Sequence, residues 1–456
     1  MLVALLLTPL MLTAPAVDNG LPRSDVAARD LEKLEDGVAS FFEALEDEDL
    51  EEQQEAIEEI ESQVARVEKR ARLPAPLLAY PGDWELVFEM AKPEVREFRT
   101  KGGRGFFRHS FSDPWIGHYV CLLSLPDDYD DVEQLKPAIV VLLPDLGAEP
   151  REYEARALEL VEAAYDGVDD RIVLVPLGPP EEGRRPDRAN VLEIEGSWMT
   201  DAGLSCLFTS ARVLFEQVPV DRSRIVLDGW REAGSDAFRI GSAFPSFWAG
   251  VVNRGGGELA EDMILSNLHG APVLYVAGED DAMDLDALRA VDSPASPVTI
   301  LEGEADPTAP TPDTRQAIAA WLDTAWRDLA PRTIDYRIAD IRYQSIAWLK
   351  ALDINRRAAA GPSDPDFPRI QASIDQGTNT ISIDTTNVFE LWIYLSDALV
   401  DLGEEVTIEV NGEVRARDTF RRSLRDMLEN RFYNASIDYG VYVRAELIDE
   451  IDANVP

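Results

Sequence analysis

The sequence predicts an α/β protein: a mostly parallel sheet with helices on both faces, preceded by an α-helical hairpin and followed by a small β-rich domain. Three observations carry this reading. Between residues 80 and 330, short apolar runs without polar alternation are separated by amphipathic segments, the pattern of strands buried on both faces. Upstream, apolar residues recur at three- and four-residue steps, the helical period. Downstream, Asn411-Gly412 joins two strand-like runs, a hairpin signal of type I′. A chain of 456 residues with 45% hydrophobic content is long enough for more than one core.

Residues 1–16 (MLVALLLTPLMLTAPA) are a short apolar run ending in Ala14-Pro15-Ala16, which reads as a signal peptide with an A-x-A cleavage site, although no Lys or Arg precedes the apolar stretch. The run is too short to span a bilayer, and no later run reaches about 20 apolar residues, so the chain is not expected to span a membrane. The expected location is outside the cytoplasm: periplasmic, envelope-associated or extracellular. Residues 24–75 form the acidic hairpin: Leu31, Leu34, Val38, Phe41 and Leu45 make one apolar stripe, Ile57, Ile60, Val64 and Val67 the next, and Asp47-Glu48-Asp49 divides them. Two runs this short argue for packing on the protein itself rather than for a partner-binding coiled coil.

Residues 80–330 hold the expected sheet, with strands at Tyr119–Leu125, Ala138–Leu143, Ile172–Val175, Ile225–Leu227, Gly250–Val252, Val273–Ala277 and Val298–Leu301. Helices are expected between several of them, among them Leu204–Gln217 and Arg315–Trp326. Residues 332–456 change character, with short strands at Ile370–Ile374, Thr380–Ile383, Leu391–Leu395, Val406–Val410 and Glu413–Ala416 and one helix near Phe420–Leu428.

The net charge of −43 sets the surface chemistry. Such a surface repels nucleic acid and anionic lipid, so neither is an expected partner; a protein or polymer partner of unknown identity is compatible with it. Cys121 and Cys206 form at most one disulfide and make no metal site. There is no G-x-x-x-x-G-K-[ST] and no H-E-x-x-H, Gly255-Gly256-Gly257 lacks dinucleotide spacing, and no cofactor or metal is expected.

Several phrases of the middle zone, in order, resemble the α/β-hydrolase superfamily, close to its secreted esterase and depolymerase-like branch. "SLPDDYDDVEQLKPAIVVLLPDLG" is similar to that branch's opening strand and oxyanion loop, and "VPVDRSRIVLDGWREAG" to its nucleophile elbow. "FPSFWAGVVNRGGG" is similar to the segment after the elbow helix, "APVLYVAGEDDAM" to the strand carrying the catalytic acid, and "TILEGEADPTAP" to the histidine loop before a last helix, "AIAAWLDTAW". The resemblance covers roughly residues 115–330 and implies a Ser-acid-His site on a strand–turn–helix elbow.

The positions that would carry that chemistry are degenerate. Arg231 stands where the elbow serine belongs, and a guanidinium that stays protonated is no nucleophile. Pro144 and Asp145 replace the His-Gly of the oxyanion loop; proline offers no N–H donor there, and a carboxylate repels an oxyanion. Glu304, Ala305 and Asp306 occupy the histidine loop, and only Asp281 keeps its expected type. The three histidines, His109, His118 and His269, all precede the last expected strand and are assigned structural or surface roles. Ser235 is the fallback nucleophile, but it falls inside the helix after the elbow, and Cys206 is expected to pack in a helix.

From these residues the chain is expected to be non-catalytic, a pseudo-esterase in a binding or structural role. Arg231 is expected to reach across the old site to Asp281 or Asp306, because a carboxylate in a closed pocket without histidine needs a cation. Arg231 and the helix N-terminus behind it could instead form an anion- or carboxylate-binding pocket, with Asp281 in the binding set and Trp230 as core or pocket wall, or Arg231 could face solvent as a tolerated replacement. Two alternatives stay open: an active serine ester or peptide hydrolase with a shifted elbow, and a polymer- or carbohydrate-binding protein acting through the β-rich domain, for which Trp392 and Tyr394 would be the aromatic platform.

Overall fold

A computed structural model of the chain describes residues 21–92, 106–113, 117–129, 135–144, 150–165, 170–177, 197–257, 259, 263–268, 270–278, 283–290, 292–293, 296–338, 344–355, 361, 363–433 and 443–448. The leader-like residues 1–16 lie outside them, as do Asp145, His269 and Asp281.

The first helices among the described residues are α1 (Ala28–Glu46) and α2 (Leu50–Ala71). The acidic break between them is a helix cap: the Asp49 carboxylate accepts from the backbone N–H of Glu51 and Glu52, both at 3.0 Å, satisfying donors that a helix start leaves open. A third helix follows, α3 (Pro81–Met90), with proline at its first position.

Eight strands form the large sheet: β1 (Phe106–Asp113), β2 (Gly117–Ser124), β3 (Lys136–Leu142), β4 (Ile172–Pro176), β5 (Val220–Trp230), β6 (Gly250–Arg254), β7 (Val273–Gly278) and β8 (Val298–Glu304). Their spatial order is β1-β2-β4-β3-β5-β6-β7-β8. Strands β3 to β8 run parallel, while β1 and β2 are antiparallel additions at one edge. Helices α4 (Pro150–Ala164), α5 (Asp201–Gln217), α6 (Glu232–Ala243), α7 (Leu285–Arg289) and α8 (Pro312–Thr324) complete this part.

The period of two explains the unbroken apolar runs. Ala138, Val140 and Leu142 pack on one face with α5 and α6, whereas Ile139 and Val141 pack on the other with α4 and α8. Both faces are covered, so neither set can be polar. Tyr394 and Ala138 thus belong to different cores, because the remaining strands build a second one.

These are β9 (Thr333–Arg337), β10 (Ser345–Ile346), β11 (Leu349–Ile354), β12 (Arg369–Asp375), β13 (Thr380–Thr386), β14 (Val388–Leu395), β15 (Val406–Val410), β16 (Glu413–Asp418) and β17 (Val443–Ile448), with α9 (Leu424–Tyr433) before the last. They form sheets ordered β10-β11-β14-β17 and β16-β15-β13-β12-β9. Asn411 and Gly412 turn β15 into β16 with φ of 53° and 77°, the positive values a type I′ hairpin requires. Leu34, Phe41 and Ile60 of the hairpin and Trp84 of α3 share one continuous core with Ile381, Ile393, Ile408 and Leu428. The helices α1 to α3 and the strands from β9 to β15 therefore stabilise each other.

A buried ionic cluster ties that core to the large sheet. Glu89 at the end of α3 accepts from Val220 N at 3.0 Å, Arg222 Nε at 3.0 Å, Arg431 Nη2 at 2.9 Å and the Lys92 ammonium. Lys92 also donates to the carbonyls of Leu214 at 3.2 Å and Val218 at 2.8 Å. Burial works to raise the Glu89 pKa, but the charges of Lys92, Arg222 and Arg431 outweigh it and hold the carboxyl below its ordinary value.

Candidate functional site

The site grows from the junction of β5 and α6. Arg231 sits between them with φ 50° and ψ −123°, a backbone conformation that side chains rarely adopt, and this makes the turn sharp. Its N–H donates to Arg254 O at 2.7 Å, and its carbonyl accepts from Gly234 N at 2.8 Å. The small residues around it are a packing requirement. A Cβ on Gly229 would stand 2.1 Å from Ala233 O, and one on Gly234 would stand 2.2 Å from Asn253 Oδ1. The strand–turn–helix thus has glycine on either side of a sharp turn, and Arg231 occupies its apex.

From that apex Arg231 Nη2 reaches Asp306 Oδ2 at 3.1 Å, in the loop after β8. The expected partner is found, but not in a closed pocket: the two side chains remain 55% and 43% exposed. Asp306 is held on its other oxygen by Thr308 N at 3.0 Å and Thr308 Oγ1 at 2.7 Å. Burial raises its pKa, yet the Thr308 bonds and the Arg231 charge outweigh that and keep the carboxyl below its ordinary value. A carboxylate so stabilised is a weak general base at neutral pH.

The rest of the loop after β8 is a structural clasp. Buried Glu304, the last residue of β8, accepts from Thr311 N at 3.1 Å, Thr311 Oγ1 at 2.9 Å and the Thr314 hydroxyl, fastening the loop to the start of α8. Ala305 lies between this clasp and Asp306. After β3, Pro144 is buried, and its carbonyl accepts from Tyr153 Oη at 3.1 Å. Leu143 O accepts from the indole N–H of Trp198 at 3.0 Å, so that ring bears on the end of β3. Trp198 is fixed in turn by Asp236, whose carboxylate accepts from Trp198 N at 2.5 Å and Ser197 Oγ at 2.6 Å.

Among the other sequence candidates, Trp230 is a core residue and not a pocket wall. It is buried in the core on the α4 and α8 face and lines no binding surface, because alternation along β5 turns it inward. Ser235 is half-buried within the first turns of α6, past the apex. His109 lies on β1, four strands from β5, roughly 19 Å across the sheet. His118 is the second residue of β2, three strands or about 14 Å away. Cys121 and Cys206 are both buried and not joined in a disulfide, and burial, then Cys206, pushes the Cys121 thiol well above its ordinary pKa. Trp392 and Tyr394 meet edge to face at 6.5 Å and 85°, with Tyr394 buried, so they form no flat platform. The Asp281 reading lies outside the described residues.

Sequence reasoning missed the trio beneath the elbow. Arg254, ending β6, donates from Nε to Asp228 Oδ2 at 2.9 Å and from Nη2 to the same oxygen at 2.6 Å; Nη2 also reaches Tyr165 Oη at 3.0 Å. Tyr165 donates to Asp228, and burial above all pushes its pKa upward, so it stays protonated. The Arg254 guanidinium lies 5.2 Å from the Trp230 ring and 5.1 Å from the Tyr165 ring. Asp228 within the apolar run Ile225–Trp230 was the available signal, since a carboxylate in a buried strand needs a cation. Among the described residues no three His, Cys, Asp or Glu side chains converge as a metal-ligand set, and no helix is long and apolar enough to cross a membrane.

No protein-family model matches the sequence, and no curated protein sequence matches it. Solved structures similar in fold include a thermostable esterase (20% identity, TM-score 0.38), with 49% of this chain and 63% of that chain covered. Others are a dienelactone hydrolase from Anabaena variabilis (16%, TM-score 0.34; 50% and 100% covered) and an S-formylglutathione hydrolase from Agrobacterium tumefaciens (10%, TM-score 0.34; 51% and 100% covered). The chain thus spans less than two thirds of the first of these.

Proposed function

We propose that this chain is a non-catalytic protein of the α/β-hydrolase type, with a binding or structural role outside the cytoplasm. The reading rests on one observation: the apex of the elbow, where a hydroxyl would have to stand for acyl transfer, is Arg231, engaged with Asp306. Two further facts support it. No histidine follows residue 269, so none belongs to the loop after β8 where a base is needed. Pro144, just after β3 where the oxyanion loop would lie, has no N–H for an oxyanion. The short apolar leader ending in Ala14-Pro15-Ala16 supports export.

The test is a fluorophosphonate probe applied to the folded full chain beside a working esterase, read by intact mass and peptide mapping. The expected result is no adduct. A stoichiometric adduct on Ser235 or any other serine would overturn the proposal and identify the true nucleophile.

A further inference from the structure

At the opposite edge of the large sheet from Arg231, the N-terminal ends of β6, β7 and β8 meet β9 and the connection leading into it around a cavity of about 470 Å³. A five-residue strand such as β6 separates the two edges by roughly 17 Å, so this cavity is distinct from the elbow. It lies where the two cores adjoin, a usual place for small-molecule sites, and its volume is in their usual range. The apolar wall is Pro245, Pro272, Pro297, Pro331, Ile334 and Ile346.

Most of its polar groups are already committed within the protein. Asn267 donates to the carbonyls of Ser242 at 3.0 Å and Arg337 at 2.7 Å and accepts from Arg337 N at 2.9 Å. Tyr336 donates to Ala243 O at 3.0 Å, and Ser246 Oγ accepts from Ala347 N at 2.9 Å. Arg327 donates to Ser246 O, Asp335 is held by Arg369 Nε at 2.6 Å, and Asp328 accepts from Ala330 N at 2.9 Å. Two further donors line it. Arg332 lines the cavity exposed, and among the described residues no side chain pairs with it. Trp326 also lines it, and its indole N–H is buried without an acceptor.

A wall of prolines and isoleucines with uncommitted donors selects a ligand that is apolar along its body and carries an acceptor at one end. We infer that the cavity between β9 and the N-terminal edge of the large sheet binds a small organic carboxylate with an apolar body, its carboxylate facing Arg332. This goes beyond the non-catalytic reading of the elbow and does not depend on it. A guanidinium is suited to such a head group because it offers two parallel N–H donors.

The experiment titrates the full chain calorimetrically with three probes of matched shape: 1-naphthylacetate, 2-(1-naphthyl)ethanol and 2-(1-naphthyl)ethylamine. Saturable binding of the acid is expected, at least tenfold tighter than the alcohol, with the amine weaker still. Arg332→Ala, at an exposed position, should keep the fold by circular dichroism and lose that tenfold preference, while Arg231→Ala should bind the acid like the parent. Absence of saturable binding, equal affinity for acid and alcohol, preference for the amine, or an unchanged Arg332→Ala would each overturn the inference. Loss of binding in Arg231→Ala would overturn it too, by moving the ligand to the elbow.

Discussion

Arg231 and Asp306, 75 residues apart, close over the C-terminal edge of the large sheet at 3.1 Å, yet both remain about half exposed. An ion pair in that setting is worth about 0–1 kcal/mol. The backbone beneath Arg231, at φ 50°, carries strain on the order of 1–3 kcal/mol. Arg231→Gly removes both, and glycine's extra unfolded-state entropy offsets part of the gain. The expected outcome is a change from neutral to about 1 kcal/mol more stable, read from the urea midpoint. A loss beyond about 2 kcal/mol would mean that the side chain fastens the elbow.

The pair beneath behaves oppositely. Asp228 and Arg254 are fully buried, so removing one charge strands the other. Asp228→Ala and Arg254→Met should each cost about 3–5 kcal/mol, and the double variant should recover part of that loss. Additive losses in the double-mutant cycle would contradict this coupling.

Burial, opposed by the charge of Glu89, brings Lys92 from 10.5 down to about 7. Because this pKa is lower in the folded state, the unfolded chain binds more protons between those two values. Stability from this group therefore rises as pH goes from about 7 toward 10, by at most about 1.4 kcal/mol per pH unit, and falls on the way back. In Lys92→Met the slope over that window should flatten relative to the parent. Urea denaturation at several pH values checks it, and identical slopes would refute it.

Cys121 and Cys206 form no disulfide and are buried in the core between the sheet and α5. Neither should react with a thiol reagent in the native protein within the time that a free-thiol standard needs to label fully, since the thiolate is the reactive form. Both should label on unfolding without a reductant. Labelling of none in denaturant would instead indicate a disulfide.

What the sequence by itself determined is the local layer of this protein. The unbroken apolar runs marked the parallel strands because a strand covered on both faces has no place for alternation. Asp47-Glu48-Asp49 marked a helix break because Asp49 caps the next helix locally. Asn411-Gly412 marked its hairpin because few residues accept two consecutive positive φ angles. Arg231 at the elbow was legible for the same reason, since strand, turn and helix are neighbours in the chain.

Only the tertiary structure decided what is distant. It chose Asp306 as the contact of Arg231, joined Asp228 to Arg254 and Tyr165, and brought Glu89 to Arg431 across 342 residues. It also turned Trp230 inward, and it merged the hairpin with the last strands into one core. Periodicity reports which side of an element is apolar. Which other element covers that side depends on how the sheets twist and close, and charge pairing in the interior follows from that closure.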